Sequence, residues 1–127
     1  MAYWLKLIGT IEEPIDEYSK SYVDYSAHGY DYILEGDKIV LYATGRGMLF
    51  ASADVVSPPR DSDTHWPFRV DIQYRCRPVS VANGVHVNEI ADDDHSSLRH
   101  ELKHQSFVPI RVSEFNRAEM LLGRESE

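Results

Sequence analysis

Short apolar runs separated by turn residues dominate the first 75 residues of this chain. Four of these runs combine β-branched, aromatic and aliphatic side chains and predict strands. The four predicted strands cover residues 3–8, 38–43, 48–56 and 68–74. The run Lys38–Ala43 shows little polar alternation, which is expected of a strand covered on both faces. The pattern therefore predicts a small, mostly β fold.

Turn residues define how these strands connect. Gly36-Asp37 leads into the second strand, and Gly45-Arg46-Gly47 predicts an antiparallel hairpin between the second and third. The proline-rich stretch 57–63 ends the third strand because proline cannot donate to a strand ladder. Further along, Asn83-Gly84 predicts a turn between short strands, and Phe107–Ile110 predicts an extended segment.

Two segments have helical spacing. Glu12–Tyr22 carries apolar residues at positions i, i+3 and i+7 and predicts a short helix. A tyrosine-rich loop is expected to follow it as far as Tyr32. Near the end of the chain, Glu114–Leu122 predicts an amphipathic helix, with Ser113 as its N-cap and Gly123 as its stop.

Composition restricts the possible classes of protein. The chain has 127 residues, which suits one domain spanning 1–127, and a single cysteine, Cys76, which leaves no internal disulfide. No apolar run approaches the roughly 18 residues that span a bilayer. The N-terminus reads as a strand rather than a signal peptide. A cytoplasmic protein without a membrane partner or cofactor is expected, and the sequence does not predict its oligomeric state.

The charge is unevenly distributed along the chain. The net charge is −8, which opposes long-range attraction to nucleic acid. Residues 38–77, however, carry six basic and four acidic side chains, a balance of +2, whereas the remainder carries seven basic and seventeen acidic ones, a balance of −10. The strand-rich middle is therefore the part that an anion could approach.

A His-Glu-x-x-His pattern occupies His100 to His104. On a helix, His100 and His104 would lie one turn apart and could bind zinc, with Glu101 as a general base. A catalytic zinc needs a third protein ligand, and the nearest downstream candidates, Glu114 and Glu119, follow an extended segment. A solvated turn without metal is therefore expected, and a zinc-dependent hydrolase is the alternative.

The order of motifs resembles the EVE domain, a family in the PUA-like superfamily that is related to YTH and ASCH domains. The resemblance lies in an aromatic-tryptophan first strand, a glycine-acid turn before a tyrosine-ended strand, a strand with a proline-acid exit, a tryptophan-led strand and a closing extended piece. These segments are Tyr3–Lys6, Leu34–Tyr42, Phe50–Asp61, Trp66–Ile72 and Pro109–Phe115. The resemblance implies an α+β, mostly β fold: a PUA-like small β-barrel with flanking short helices.

The family resemblance also implies a non-catalytic pocket for a modified nucleobase, flipped from DNA or held in RNA. A base removed from its stack needs aromatic faces and hydrogen bonds to its edge. The aromatic walls implied here are Tyr25, Tyr30 and Tyr42, with Trp66 beside them; Lys6 and Thr44 would bond to the base edge or phosphate, and Arg46, Arg60 and Arg69 would contact the backbone. A small anionic metabolite or a protein partner in the same barrel is the other alternative.

Overall fold

The computed structural model describes residues 1–10, 12–26, 32–62, 67–76, 80–90 and 107–125. In these ranges the strands are β1 (Tyr3–Ile8), β2 (Tyr22–Tyr25), β3 (Lys38–Ala43), β4 (Met48–Val55), β5 (Arg60–Asp61), β6 (Phe68–Cys76), β7 (Val85–His86) and β8 (Phe107–Pro109), and the helix α1 (Val112–Glu125) follows them. Two 3-10 turns, Val81–Asn83 and Val87–Glu89, flank β7. Within the described ranges, no helix is long and apolar enough to cross a membrane. The predicted α+β, mostly β class is confirmed.

The strands form one curled sheet in the order β2-β6-β4-β3-β1-β8, with β5 paired to β6 and β7 paired to β4. Every pair is antiparallel except β1 and β3, which run parallel with Trp4 opposite Ile39. Edge strands β2 and β8 lie at opposite ends of this order. The curl nevertheless brings the rings of Tyr25 on β2 and Phe107 on β8 to 5.3 Å between centroids. The sheet is therefore an open half-barrel.

The sheet is buried on both faces, and residue parity along a strand decides which face a side chain takes. On β1, Trp4 and Ile8 lie on the inner side of the curl, whereas Leu5 and Leu7 lie on the side covered by α1. We call these the concave core and the helix-side core. Residues of both edge strands, β2 and β8, belong to the concave core and enclose it. The predicted strand with both faces covered, Lys38–Ala43, is confirmed as β3.

A β-bulge changes the parity in the middle of the sheet. Tyr42 pairs with Leu49 and Leu41 pairs with Ala51, so Phe50 is an extra residue on β4. Phe50 and Ala51 consequently both lie in the concave core. A bulge increases local twist, which favours the curl.

Asp37 ties the first strand to the turn before β3. Its carboxylate accepts hydrogen bonds from the backbone N–H of Ala2, the indole Nε1–H of Trp4 and the backbone N–H of Leu34, each at 2.9 Å. Gly36, at φ +93°, supplies the left-handed turn that points this carboxylate inward. The glycine-acid turn recognised in the sequence is thus a buried hydrogen-bonding centre.

The predicted helix Glu12–Tyr22 is wrong. Residues 12–20 are irregular, and Tyr22 begins strand β2, which also replaces the first part of the predicted tyrosine loop. Ile15 and Tyr18 instead pack against one end of the concave core. The Tyr18 hydroxyl donates to the backbone O of Tyr22 at 2.5 Å. The apolar spacing therefore reflects a segment laid across the end of the curl rather than a helical face.

The predicted ends of the last helix are also wrong. The helix begins at Val112, one residue before the predicted cap Ser113, and runs past Gly123 to Glu125. Glu114 provides the capping interaction, because its Oε1 accepts the backbone N–H of Arg111 at 2.9 Å. This is the acidic half of a capping box.

The predicted strands 3–8, 38–43, 48–56 and 68–74 are confirmed, with ends within two residues, and so is the hairpin at Gly45-Arg46-Gly47. The extended segment at residue 107 is confirmed as β8. Around the Asn83-Gly84 turn, the described residues contain only the two-residue strand β7 rather than several short strands.

Two glycines provide a matched test of this packing. A Cβ added at Gly84 would lie 2.1 Å from the backbone O of Leu49, so Gly84→Ala is expected to lower the free energy of unfolding by about 1–3 kcal/mol or more. At Gly123 an added Cβ meets nothing within 4 Å, so Gly123→Ala should raise it by up to about 1 kcal/mol. Urea unfolding followed by circular dichroism measures both. Equal effects of the two changes would contradict the described packing.

Candidate functional site

Lys6 is a charged side chain in the concave core. Along β1 it alternates with the helix-side residues and shares the inner face with Trp4 and Ile8. Its neighbours in register are Leu41 on β3 and Phe107 on β8, which both belong to the concave core. Lys6 is 3% exposed. Lys6 thus lies beside apolar and aromatic residues of the inner face.

Burial lowers the pKa of Lys6 from 10.5 to about 7, and the negative charge of Asp24 on β2 works against this shift. Desolvation penalises the ammonium form, which explains the direction. The Nζ atom donates to the backbone O of Leu7 at 2.5 Å. Lys6 can therefore change its protonation state near neutral pH, whereas a lysine with the ordinary pKa of 10.5 stays protonated there.

Five aromatic rings form a continuous series beside Lys6, which we call the aromatic ladder. Centroid distances are 4.9 Å from Trp4 to Phe107, 5.3 Å from Phe107 to Tyr25, 5.5 Å from Tyr25 to Phe68 and 5.4 Å from Phe68 to Tyr32. Three of these contacts are edge-on, which is a favoured arrangement of aromatic pairs. Trp4 is buried and Tyr32 is 38% exposed, so the ladder runs from the interior to the surface.

The ladder crosses from one edge of the sheet to the other. In the described ranges, β2 and β8 form no backbone ladder with each other, and we call the boundary between them the seam. Phe107, the register partner of Lys6, and Tyr25 meet across this seam. Lys6, the aromatic ladder and the seam together are the candidate site.

Tyr25 is part of the site but differs from its predicted form. It lies on β2 rather than in a loop and is fully buried. Its hydroxyl donates to the backbone O of Ile33 at 3.2 Å, and burial raises its pKa to about 12. Tyr25 is therefore an enclosed wall of the concave core.

Tyr42 cannot join Tyr25 in one aromatic cage. Tyr42 belongs to the helix-side core, whereas Tyr25 belongs to the concave core, so the sheet separates them. The physical reason is parity: Leu41 and Ala43 take the inner positions of β3, which turns Tyr42 outward beneath α1. Burial raises the pKa of the Tyr42 hydroxyl. The predicted wall formed by these two tyrosines is wrong.

Thr44 and Arg46 lie in the hairpin that joins β3 to β4. The Arg46 guanidinium pairs with Asp16 at 3.2 Å. The Thr44 Oγ1 atom is buried, and no hydrogen-bond partner is found for it. The predicted contacts of Thr44 with a base edge or phosphate and of Arg46 with the nucleic-acid backbone stay predictions.

Arg60 and Arg69 lie near Tyr25 but are engaged in ion pairs. Arg69 binds Asp24 through two hydrogen bonds of 2.6 and 3.1 Å, and its guanidinium lies 3.9 Å from the ring centre of Tyr22. Arg60 pairs with Asp71 at 2.6 Å. Acidic neighbours thus offset the basic balance of the middle of the chain.

Several predicted site residues lie outside the described residues. They are Tyr30, Trp66 and the His100, Glu101 and His104 set. Among the residues that the structure covers, no group of three or more His, Cys, Asp or Glu could hold a metal ion. The zinc alternative stays a prediction.

Comparison with known proteins identifies the fold. The chain is similar to the crystal structure of protein PSPTO5229 from Pseudomonas syringae, at 13% identity and a TM-score of 0.57, over 95% of this chain and 99% of that one. It is also similar to protein Atu2648 from Agrobacterium tumefaciens (15% identity, TM-score 0.55, 94% and 92% covered) and to a protein from Pseudomonas putida (15%, 0.51, 95% and 99%). No family model matches the chain, and no curated protein matches it significantly.

Most of the aromatic ladder was not predicted as part of the site. Phe68 and Phe107 were expected only in extended segments, and Asp24 was not singled out at all. Parity along β1 could have shown that Lys6 shares a face with Trp4. The contact between Tyr25 and Phe107 depends on the curl, and no local pattern encodes it.

The state of Lys6 predicts a pH-dependent stability. The pKa of Lys6 is 10.5 in the unfolded chain and about 7 in the folded one. Between these two pH values the unfolded chain therefore binds more protons than the folded chain. Stability of the wild type should therefore rise with pH across this window. Lys6→Met is expected to raise the free energy of unfolding by roughly 2–3 kcal/mol more at pH 6.5 than at pH 9.5.

Urea unfolding at the two pH values measures this difference. Lys20→Met, at an exposed lysine, is the matched control and should change stability by less than about 0.5 kcal/mol. A gain from Lys6→Met that does not depend on pH would contradict the assigned burial of a titrating amine.

Proposed function

We propose that this chain is an EVE-type, PUA-like domain that binds a modified nucleobase of DNA or RNA at the seam, without catalysing a reaction. The observation that carries this proposal is the buried amine of Lys6 beside the aromatic ladder. The similarity to solved structures supports the fold, and the resemblance to the EVE family supplies the class of ligand.

The chemistry of the seam suits a planar heterocycle. A base taken out of its stack regains stacking energy on aromatic faces, at about 1–3 kcal/mol per base. The rings of Trp4 and Tyr25 each contact the ring of Phe107, so three rings lie side by side. A ring ligand must also satisfy polar atoms on its edge, because an unsatisfied buried acceptor is costly. Lys6 supplies an N–H donor at that depth.

The charges of the chain favour contacts to the base over contacts to the phosphates. The net charge is −8, and Arg46, Arg60 and Arg69 each pair with an aspartate. Phosphate contacts release counterions and make affinity fall with salt in proportion to their number. Binding by this chain should therefore show a shallow salt dependence, equivalent to about one or two phosphate contacts.

Fluorescence anisotropy with single-stranded and duplex oligonucleotides tests the proposal. Probes carrying 5-methylcytosine, 5-hydroxymethylcytosine or N6-methyladenine are compared with unmodified ones, as DNA and as RNA, at 50 mM and 200 mM salt. At least one modified probe should bind about tenfold more tightly than its plain counterpart. Lys6→Met should remove that preference, since a hydrogen bond to a charged group contributes about 1.5–3 kcal/mol.

Lys20→Met serves as the control and should keep the preference, because it removes an exposed lysine of the same size. The proposal fails if no modified probe binds at low salt. The alternative of a small anionic metabolite predicts a different result: free ligands would raise the melting temperature while every oligonucleotide leaves it unchanged.

A further inference from the structure

We propose that Tyr32 and Leu34, which we call the apolar rim, form a stacking platform for the nucleotide next to the modified base. This inference rests on the proposed function for the class of ligand, and it adds a second contact outside the concave core. The occupant is the neighbouring base of the same strand, bound by its flat face.

The rim consists of two large apolar side chains that are exposed to solvent. Tyr32 is 38% exposed and Leu34 is 52% exposed, whereas Ile33 between them is fully buried. This alternation turns both rim side chains outward, and the half-buried Phe68 touches the ring of Tyr32. Single exposed apolar residues need no explanation, but exposed apolar groups that lie together mark binding surfaces.

The backbone holds the rim in a fixed place. The carbonyl O of Ile33 accepts a hydrogen bond from the Tyr25 hydroxyl at 3.2 Å. The N–H of Leu34 donates to the Asp37 carboxylate at 2.9 Å, and the carbonyl O of Leu34 accepts from the N–H of Asp37 at 3.0 Å. A surface held in this way loses little conformational freedom when it binds, so the rim is suited to recognition.

The rim continues the aromatic ladder at the surface. The rings of Tyr32 and Phe68 lie 5.4 Å apart at an interplanar angle of 81°, so Phe68 covers at most one face of the Tyr32 ring. Phe68 in turn contacts Tyr25 at 5.5 Å. A base at the seam and its neighbour on the rim would therefore rest on one series of rings. Successive bases of a single strand bind to aromatic side chains in this way.

The charges beside the rim favour a base over a phosphate. Glu35 directly follows Leu34 and is exposed, and Asp61, which is also exposed, is the register partner of Phe68. Two carboxylates disfavour an anion at this surface. A nucleobase is planar and uncharged, so it meets no such repulsion. The rim therefore suits a stacked base better than a phosphate or an anionic metabolite.

Variants of the rim test its role in binding. The probe is the single-stranded oligonucleotide that binds most tightly in fluorescence anisotropy among those carrying 5-methylcytosine, 5-hydroxymethylcytosine, N6-methyladenine or no modification. Tyr32→Ala should weaken binding of this probe at least about fivefold, and Leu34→Ala should weaken it about threefold. Tyr32→Phe keeps the ring and should bind within about twofold of the wild type.

Met120→Ala is the matched control. Met120 on α1 is 53% exposed, close to the value for Leu34, and it lies outside the rim. This change should leave the affinity unchanged, and circular dichroism confirms that each variant is folded. No loss of affinity from Tyr32→Ala, or equal losses from Leu34→Ala and Met120→Ala, would overturn the inference.

A change in the probe tests the same contact without altering the protein. The base next to the modified one is replaced by a tetrahydrofuran spacer, on the 5′ side in one probe and on the 3′ side in another. The wild type should lose at least about fivefold in affinity for one of these two probes. On that probe, Tyr32→Ala should cause less than about a twofold further loss, because the ring and the base act as a pair. Fully additive losses would contradict the assigned contact.

The two proposals fail in different ways. A preference for a modified probe that persists while the rim variants bind as tightly as the wild type would refute the rim and leave the base-binding function standing. Loss of binding through Tyr32→Ala without a preference for any modified base would support the rim and refute recognition of a modification. Absence of binding by every probe would overturn both.

Discussion

Burial of the central sheet on both faces is the constraint on which the rest of this structure depends. Leu5 on β1 and Val40 on β3 face α1, while Trp4 and Ile39, one residue away in each case, face the inside of the curl. Each central strand can therefore present only alternate residues to a ligand in the concave core. The same constraint excludes Tyr42 from that side, although its sequence context is closest to the family pattern.

Two buried polar side chains among the described residues of the concave core have opposite consequences. Asp37 accepts three hydrogen bonds of 2.9 Å, so its burial is matched by donors and holds β1 to the turn at Gly36. Lys6 is buried with a lowered pKa, which shows that its surroundings disfavour the charge. An apolar side chain of similar length at this position would avoid that penalty. The hydrogen bonds of Asp37 therefore indicate a structural role, whereas the unfavourable burial of Lys6 makes it a candidate for a functional role.

How much the sequence could predict follows from the range of the interactions. Strands 3–8 and 38–43 and the hairpin at Gly45 depend on local apolar runs and glycine conformations, and these were predicted to the residue. The helix predicted for residues 12–22 was wrong because Ile15 and Tyr18 pack against the concave core. This tertiary contact overrides the helical spacing of the apolar residues. The prediction of the site was incomplete for the same reason, because the contact of Tyr25 with Phe107 joins residues 82 positions apart. Lys6 was identified only through the family resemblance.

The lengths of the edge strands bear on how a ligand would reach the proposed site at the seam. β2 has four residues and β8 has three, and β8 ends in a proline that cannot donate to a ladder. Short edge strands open more easily than longer strands such as the six- and eight-residue β3 and β4. The aromatic ladder spans this weaker boundary while Lys6 is anchored on β1, which is paired on both sides by β3 and β8. In the proposed function, a ligand has to part the ring contact at the seam, and the pairing of β1 on both sides keeps the strand that carries the amine in place.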